Sequence, residues 1–243
     1  MPRQPRLLVP DVAVHIVQRG NDRQVCFRHE SDYLVYLLHL RQLAAKADCL
    51  IHAYCLMTNH VHLLVTPKDA RGCTTLMRNL GQRYVQYFNR RHERTGTLWE
   101  GRFRSCLVES ARYVLGCYRY VELNPVRAGL AANPAAYTWS SCAANSGLRD
   151  APHLCPHPEY LALGSTAQAR HAAYTGLFEK AIEPSVVDKI RESTNNGFPL
   201  AGDSFKSVLA QSLRRKIQPG RVGRPRKSGS DPDFDDLSAG GAS

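Results

Sequence analysis

Along residues 12–18, VAVHIVQ, apolar and polar positions alternate with β-branched residues among the apolar ones, and the run stops at Arg19, Gly20, Asn21 and Asp22. That pattern predicts a strand ended by a turn. Residues 31–47, SDYLVYLLHLRQLAAKA, switch to apolar positions at helical spacing behind a Ser or Asp cap, predicting an amphipathic helix. LIHAYCLM (50–57) and VHLLVTP (61–67) return to strand character and are joined by Thr58 and Asn59, which predicts a hairpin. Residues 73–92 predict a second amphipathic helix, closed by Thr95, Gly96 and Thr97. RFRSCLVE (102–109) reads as a fourth strand, and ARYVLGCYRYVELN (111–124) as a third helix that Ser110 opens and Pro125 stops.

The order β-α-β-β-α-β-α is that of the split βαβ arrangement, so the expected class is α+β, ferredoxin-like, an antiparallel sheet with helices on one face. The main domain is expected over residues 1–142, followed by a connector and helical extension over 143–213 and a tail over 214–243. The tail begins with Arg214, Arg215, Lys216, Arg221, Arg224, Arg226 and Lys227 set among Gly and Pro without an acid, then turns acidic in SDPDFDDLSAGGAS. It has too little apolar surface to offset the entropy of ordering, so disorder is expected from about residue 217 onward.

Composition sharpens this picture. A chain of 243 residues, 43% of them hydrophobic, can bury one good-sized core with a small appendage. No apolar run approaches the roughly 20 residues of a membrane span, and the start, MPRQPRLLVPD, is too polar and Pro-rich for a signal peptide. A soluble, intracellular protein is expected. The eight cysteines, at 26, 49, 55, 73, 106, 117, 142 and 155, form no CxxC pair, which suits reduced thiols acting as small core residues better than a disulfide frame or zinc ribbon. A net charge of +11 makes a polyanion, nucleic acid first, the expected partner.

The positive charge is unevenly distributed. Arg78, Arg83, Arg90, Arg91, Arg94, Arg102 and Arg104 interleave with Tyr84, Tyr87, Phe88, Trp99 and Phe103. Guanidinium and aromatic groups in that mixture suit a surface that neutralises phosphates and stacks unpaired bases, although Tyr84 and Phe88, at i and i+4, are expected in the core. In the tail, GRVGRPRK carries Arg224 and Arg226, either as a flexible arm for a minor groove or as a solubilising segment.

The candidate chemistry lies in MTNHVHLLV, residues 57–65. On a strand His60 and His62 project to one face while Val61, Leu63 and Val65 project to the other. Two neutral imidazoles about 7 Å apart at their backbones can converge on one metal ion, with a third ligand from elsewhere. The plainer alternative is a histidine pair satisfied by backbone or water. In CYRYVELNPVRAGL, Tyr120 and Asn124 share a helix face at i and i+4, and Tyr113 and Cys117 extend that stripe. A phenol with its pKa of about 10 is a weak nucleophile, yet a metal that polarises a phosphodiester makes its attack on phosphorus feasible. Tyr120 as a core residue is the alternative, and Tyr113 and Tyr118 are rivals that lack the asparagine. His15 reads as a packed or edge residue near the same face. His153, Cys155 and His157 have ligand types at close spacing but sit in a Pro-rich connector without a fourth partner, so a zinc site is discounted.

RGNDRQ, YCLMTNHVHLLV, RYVELNPVRAGL and YTWSS, taken together, resemble the REP-associated tyrosine transposases, part of the small single-strand transposases with an HUH motif (His, hydrophobic, His) and one catalytic tyrosine. The resemblance spans roughly residues 3–142, and NGFPLAGDSFKSVL with GRPRK is similar to the C-terminal extension of some members. It implies Mg²⁺ or Mn²⁺ held by His60 and His62, and attack by Tyr120 on a single-stranded DNA phosphate to give a 5′-phosphotyrosine and a free 3′-OH. Better-known single-strand transposases use a glutamine four residues after the tyrosine as third ligand. Here Asn124 takes that place, one methylene shorter, to reach the ion directly or through a water. The resemblance further implies DNA hairpins of palindromic repeats as substrate, faced by segment 78–104 with Arg83, Arg90, Arg91, Arg102 and Arg104; Arg224 and Arg226 join them if the tail acts as a DNA-binding arm. It also implies a cytoplasmic, nucleoid-associated protein acting as a monomer or homodimer. The rival class is a non-catalytic DNA-binding protein derived from such a transposase.

Overall fold

The computed structural model describes residues 6–213; the basic and acidic tail, with Arg224 and Arg226, lies outside the described residues. The first seven elements are β1 (Ala13–Arg19), α1 (Glu30–Lys46), β2 (Cys49–Leu56), β3 (His60–Pro67), α2 (Gly72–Arg91), β4 (Arg104–Val108) and α3 (Ser110–Glu122). The strands form one sheet in the order β2-β3-β1-β4 with every neighbouring pair antiparallel, the split βαβ topology expected of the sequence. In the β1–β3 register Arg19 faces His60, Val17 faces His62 and His15 faces Leu64.

Strand alternation divides the side chains between two cores. Val14, Ile16, Val61, Leu63, Val65 and Leu107 pack beneath α1 and α2. These helices present Tyr33, Tyr36, Leu40 and Leu43, and Leu76, Leu80, Tyr84 and Phe88, at the three- and four-residue spacing that keeps one stripe inward. Ala13, Cys55, Leu64, Cys106 and Val108 point to the opposite face, where α3 lays down Val114, Cys117, Tyr118, Tyr120 and Val121. Helices on one face thus describes α1 and α2, and the second face is covered as well. All eight cysteines are free and seven are buried, in keeping with their reading as small core residues.

Most boundaries shift by a residue or two from the sequence reading, and at two of them the cause is a particular side chain. The first helix begins at Glu30 with His29 as its cap, and Asp32 sits inside the first turn, where its carboxylate accepts from the backbone N–H groups of Arg28 (2.8 Å) and His29 (3.0 Å). The third helix ends at Glu122, and Pro125 falls in a further short turn, α4 (Asn124–Arg127), because a first-turn position needs no N–H donor.

Beyond α4 the chain adds α5 (Cys142–Asn145), α6 (Pro158–Leu161), α7 (Ala167–Gly176), α8 (Pro184–Asn196) and α9 (Asp203–Leu213). Buried Glu122 ties several of them to α3: Ser141 and Asn145 donate to its Oε1 at 2.5 and 2.8 Å, and Tyr174 donates to its Oε2 at 2.6 Å. Helix α8 packs along β4 and β1. Leu200 then binds the strand edge, donating to Leu107 O (2.8 Å) and accepting from Glu109 N (3.0 Å).

Candidate metal and tyrosine site

On the second sheet face, β3 carries His60 and His62, β1 carries His15, and α3 lowers Tyr120 onto them. The His60 and His62 ring centroids are 5.0 Å apart, and Tyr120 sits edge-on 5.7 Å from His62 and 5.6 Å from His15. His62 and Tyr120 are almost fully buried, while His60 is partly open. Burial disfavours the charged imidazole, pushing His15 down to about 3, His60 to about 4 and His62 well below the ordinary value. The three rings are therefore neutral near pH 7, the form that offers a lone pair to a metal.

Hydrogen bonding settles which nitrogen of His60 carries the proton. Asn59 uses its Nδ2 to donate to Arg23 O (3.1 Å), so its Oδ1, 2.7 Å from His60 Nδ1, is an acceptor and the ring nitrogen donates. His60 Nε2 is left as a bare lone pair. His62 Nδ1 is likewise engaged, 3.0 Å from His15 Nε2. Asn124 donates from Nδ2 to the carbonyls of Tyr120 (2.9 Å) and Val121 (3.1 Å), and so its Oδ1 is the end that remains to meet a cation. Two imidazole nitrogens and an amide oxygen are a donor set that suits a divalent ion of the Mg²⁺ or Mn²⁺ type. Among the described residues no group of three or more His, Cys, Asp or Glu is placed to hold a metal. His157 is occupied in capping α6, with Nδ1 accepting from Glu159 N at 3.1 Å.

The rival tyrosines face elsewhere. Tyr118 is buried against Tyr160 and Tyr174, and its hydroxyl accepts from His157 N at 3.3 Å. Tyr113 lies under the Arg112 guanidinium beside Lys189 and Lys206. Tyr120 alone of the three makes ring contacts with His62 and His15 among the described residues. It is also clamped by Arg127, whose guanidinium lies over the ring 4.5 Å from its centroid and donates to Tyr120 O at 2.7 Å.

Residues 8–124 match the family model described as IS200-like transposase. Over this segment, just under half of its length, the chain is similar to the IS200-like transposases. A solved structure of a REP-associated tyrosine transposase bound to a REP hairpin shares the fold, with a TM-score of 0.51 at 13% identity over 65% of this chain and 99% of that one. A Deinococcus radiodurans R1 crystal structure is 19% identical over 54% of this chain and all of that one, at a TM-score of 0.35. No curated protein sequence matches the chain. No helix among the described residues is long and apolar enough to cross a membrane.

Around this site the expected basic surface splits in two. Arg83, Arg90 and Arg91 line a groove with His39, Gln86 and Tyr87, formed by α1 and α2 on the face away from Tyr120. Arg102 and Arg104 line a small pocket with Val17, Arg19, Glu100 and Asn195 at the His60 end of the sheet. Tyr84 and Phe88 lie in the α1–α2 core as their spacing predicts, and Trp99 and Phe103, from the loop behind α2, are buried with them and are not stacking platforms. Sequence reasoning gave no role to Arg127, although its place seven residues after Tyr120 puts it two turns along the same face. Arg19 and Thr194 were also missed. Nothing local marks Thr194, which reaches the sheet from α8.

Proposed function

We propose that this protein cuts and rejoins single-stranded DNA at the hairpins of palindromic repeats, through a 5′-phosphotyrosine formed on Tyr120. The observation that carries the reading is the convergence of one nearly buried phenol, two metal-competent imidazoles and an arginine on the same sheet face. The fold shared with a hairpin-bound relative supports hairpin DNA as the substrate class.

Bound between His60 and His62, with Asn124 directly or through a water, Mg²⁺ or Mn²⁺ would supply Lewis-acid polarisation of the scissile phosphate. The chain's own residues do the rest. Tyr120 loses its proton to solvent and attacks phosphorus; the new bond is from the phenolic oxygen to phosphorus, and the bond that breaks is to the 3′ oxygen, which takes a proton and leaves as a free 3′-OH. A 3′-OH attacking the phosphotyrosine reverses these steps and restores the phenol, so the phosphodiester energy is kept for rejoining. Arg127 holds the ring and brings positive charge to the side where the phosphate enters. Arg102 and Arg104, at the His60 end, and Arg83, Arg90 and Arg91, in the α1–α2 groove, contact phosphates of the flanking DNA, as Arg224 and Arg226 do from the tail.

The test uses a hairpin oligonucleotide with a single-stranded flank, incubated with Mn²⁺ and resolved on a denaturing gel. Wild type is expected to give a nick and a protein–DNA band that survives denaturant, and His60→Ala or His62→Ala neither. A nick without an adduct would make the protein a water-using phosphodiesterase. Hairpin binding with neither product would make it a non-catalytic DNA-binding protein.

A further inference from the structure

We infer that Thr194, delivered by α8 from far outside the family-matched segment, is a positioning residue of the active site: through His15 it fixes the tautomer of His62. Three short contacts in series carry the argument. Thr194 Oγ1 lies 2.7 Å from Ile190 O, 2.8 Å from His15 Nδ1, and His15 Nε2 lies 3.0 Å from His62 Nδ1. Each gap needs one proton, and a carbonyl has none to give. The Thr194 hydroxyl proton therefore goes to Ile190 O, and its oxygen must accept from His15 Nδ1–H. His15, a neutral buried ring, then has only a lone pair at Nε2, which must accept from His62 Nδ1–H. The end of the relay is a bare His62 Nε2.

The whole chain is buried: His15, His62, Thr194 and Cys106, whose Sγ lies 3.3 Å from Thr194 Oγ1, are each less than 5% exposed. Water does not substitute freely for a missing partner there, so the direction of the relay is set by the protein. Replacing the hydroxyl by a methyl leaves His15 Nδ1–H without an acceptor. The ring relieves this by carrying its proton on Nε2, which donates to His62 Nδ1 and forces the His62 proton onto Nε2, the nitrogen a metal would use. An outer partner of this kind orients and tunes a ligating histidine. The C-terminal helices are thus part of the active site and not an attachment to it.

The metal consequence rests on the reading of His62 as a ligand, whereas the tautomers do not. In metal-free protein labelled with ¹⁵N-histidine, His15 and His62 are each expected to be protonated at Nδ1 and bare at Nε2; protonation of His62 at Nε2 would overturn the relay with no variant needed. Thr194→Val is expected to move both protons to Nε2 and to weaken Mn²⁺ binding roughly tenfold or more, and Thr194→Ser to retain the wild-type tautomers and affinity. An unchanged His62 tautomer in Thr194→Val would also overturn the proposal. If His62→Ala bound Mn²⁺ as tightly as wild type, the metal assignment would fail and the tautomer pattern would still decide the relay.

Discussion

Tyr120 is held from several sides at once: His15 and His62 meet its ring edge-on, and Arg127 covers a face and grips its carbonyl. That clamp predicts a kinetic role for the arginine. Arg127→Gln should slow single-turnover nicking by roughly a hundredfold, the scale of losing one donor at a developing negative charge, with hairpin affinity largely kept; an unchanged rate would reduce Arg127 to packing. The histidine pair and the tyrosine were legible in the sequence because each declares itself by local spacing, two residues on a strand or four on a helix. Arg127 was legible by the same rule and was passed over. The His15–Thr194 contact joins residues 179 apart, and no periodicity encodes such a pair.

Among the elements, α3 does two jobs: it presents Tyr120 to the sheet, and at Glu122 it anchors α5 and α7. Burial raises the Glu122 carboxyl above its ordinary value against the pull of its donors, Ser141, Tyr174 and Asn145. A raised folded-state value favours the protonated form, so this contribution to stability is full below the unfolded value near 4.3 and is lost as pH rises through the folded value. Glu122→Gln should therefore gain in melting temperature relative to wild type as pH is raised from about 4 to 8, and a constant difference across that range would contradict the assignment. Gly20 makes a separate demand on the turn after β1. A methyl there would come 2.3 Å from Gln24 O and 2.6 Å from Cys26 Sγ, and Gly20 N donates to Asn59 O at 2.8 Å beside the histidine strand. Gly20→Ala is expected to cost about 1–3 kcal/mol in denaturant unfolding, as overpacking does; wild-type stability would show that the turn yields. The strands and helices themselves were readable to within a few residues because α1 and α2 each bury one stripe, and the strands are β-branched or apolar runs bounded by turn residues, although the sheet is covered on both faces. The covering of the second face was less legible, since short turns such as α5 and α6 have no period to read.

Over the described residues, the sheet is a central layer with the candidate site on one side and an arginine groove on the other. On the proposed reading, a DNA segment at Tyr120 and phosphates in the α1–α2 groove would make separable contributions. Replacing Arg83, Arg90 and Arg91 by Gln should flatten the dependence of log affinity on log salt by roughly two to three units, at about 0.7–0.9 for each phosphate no longer neutralised, while the rate of adduct formation at saturating DNA holds. An unchanged salt slope would assign those arginines to solubility. The most direct test of the account is where the DNA becomes attached. After reaction of the wild-type protein with a hairpin oligonucleotide and Mn²⁺, nuclease trimming and proteolysis, mass spectrometry is expected to find a nucleotide 5′-phosphate on Tyr120 in the segment RYVELNPVR, and none in Tyr120→Phe. A nucleotide on Tyr113 or Tyr118, or a cleaved oligonucleotide with no modified tyrosine, would contradict it.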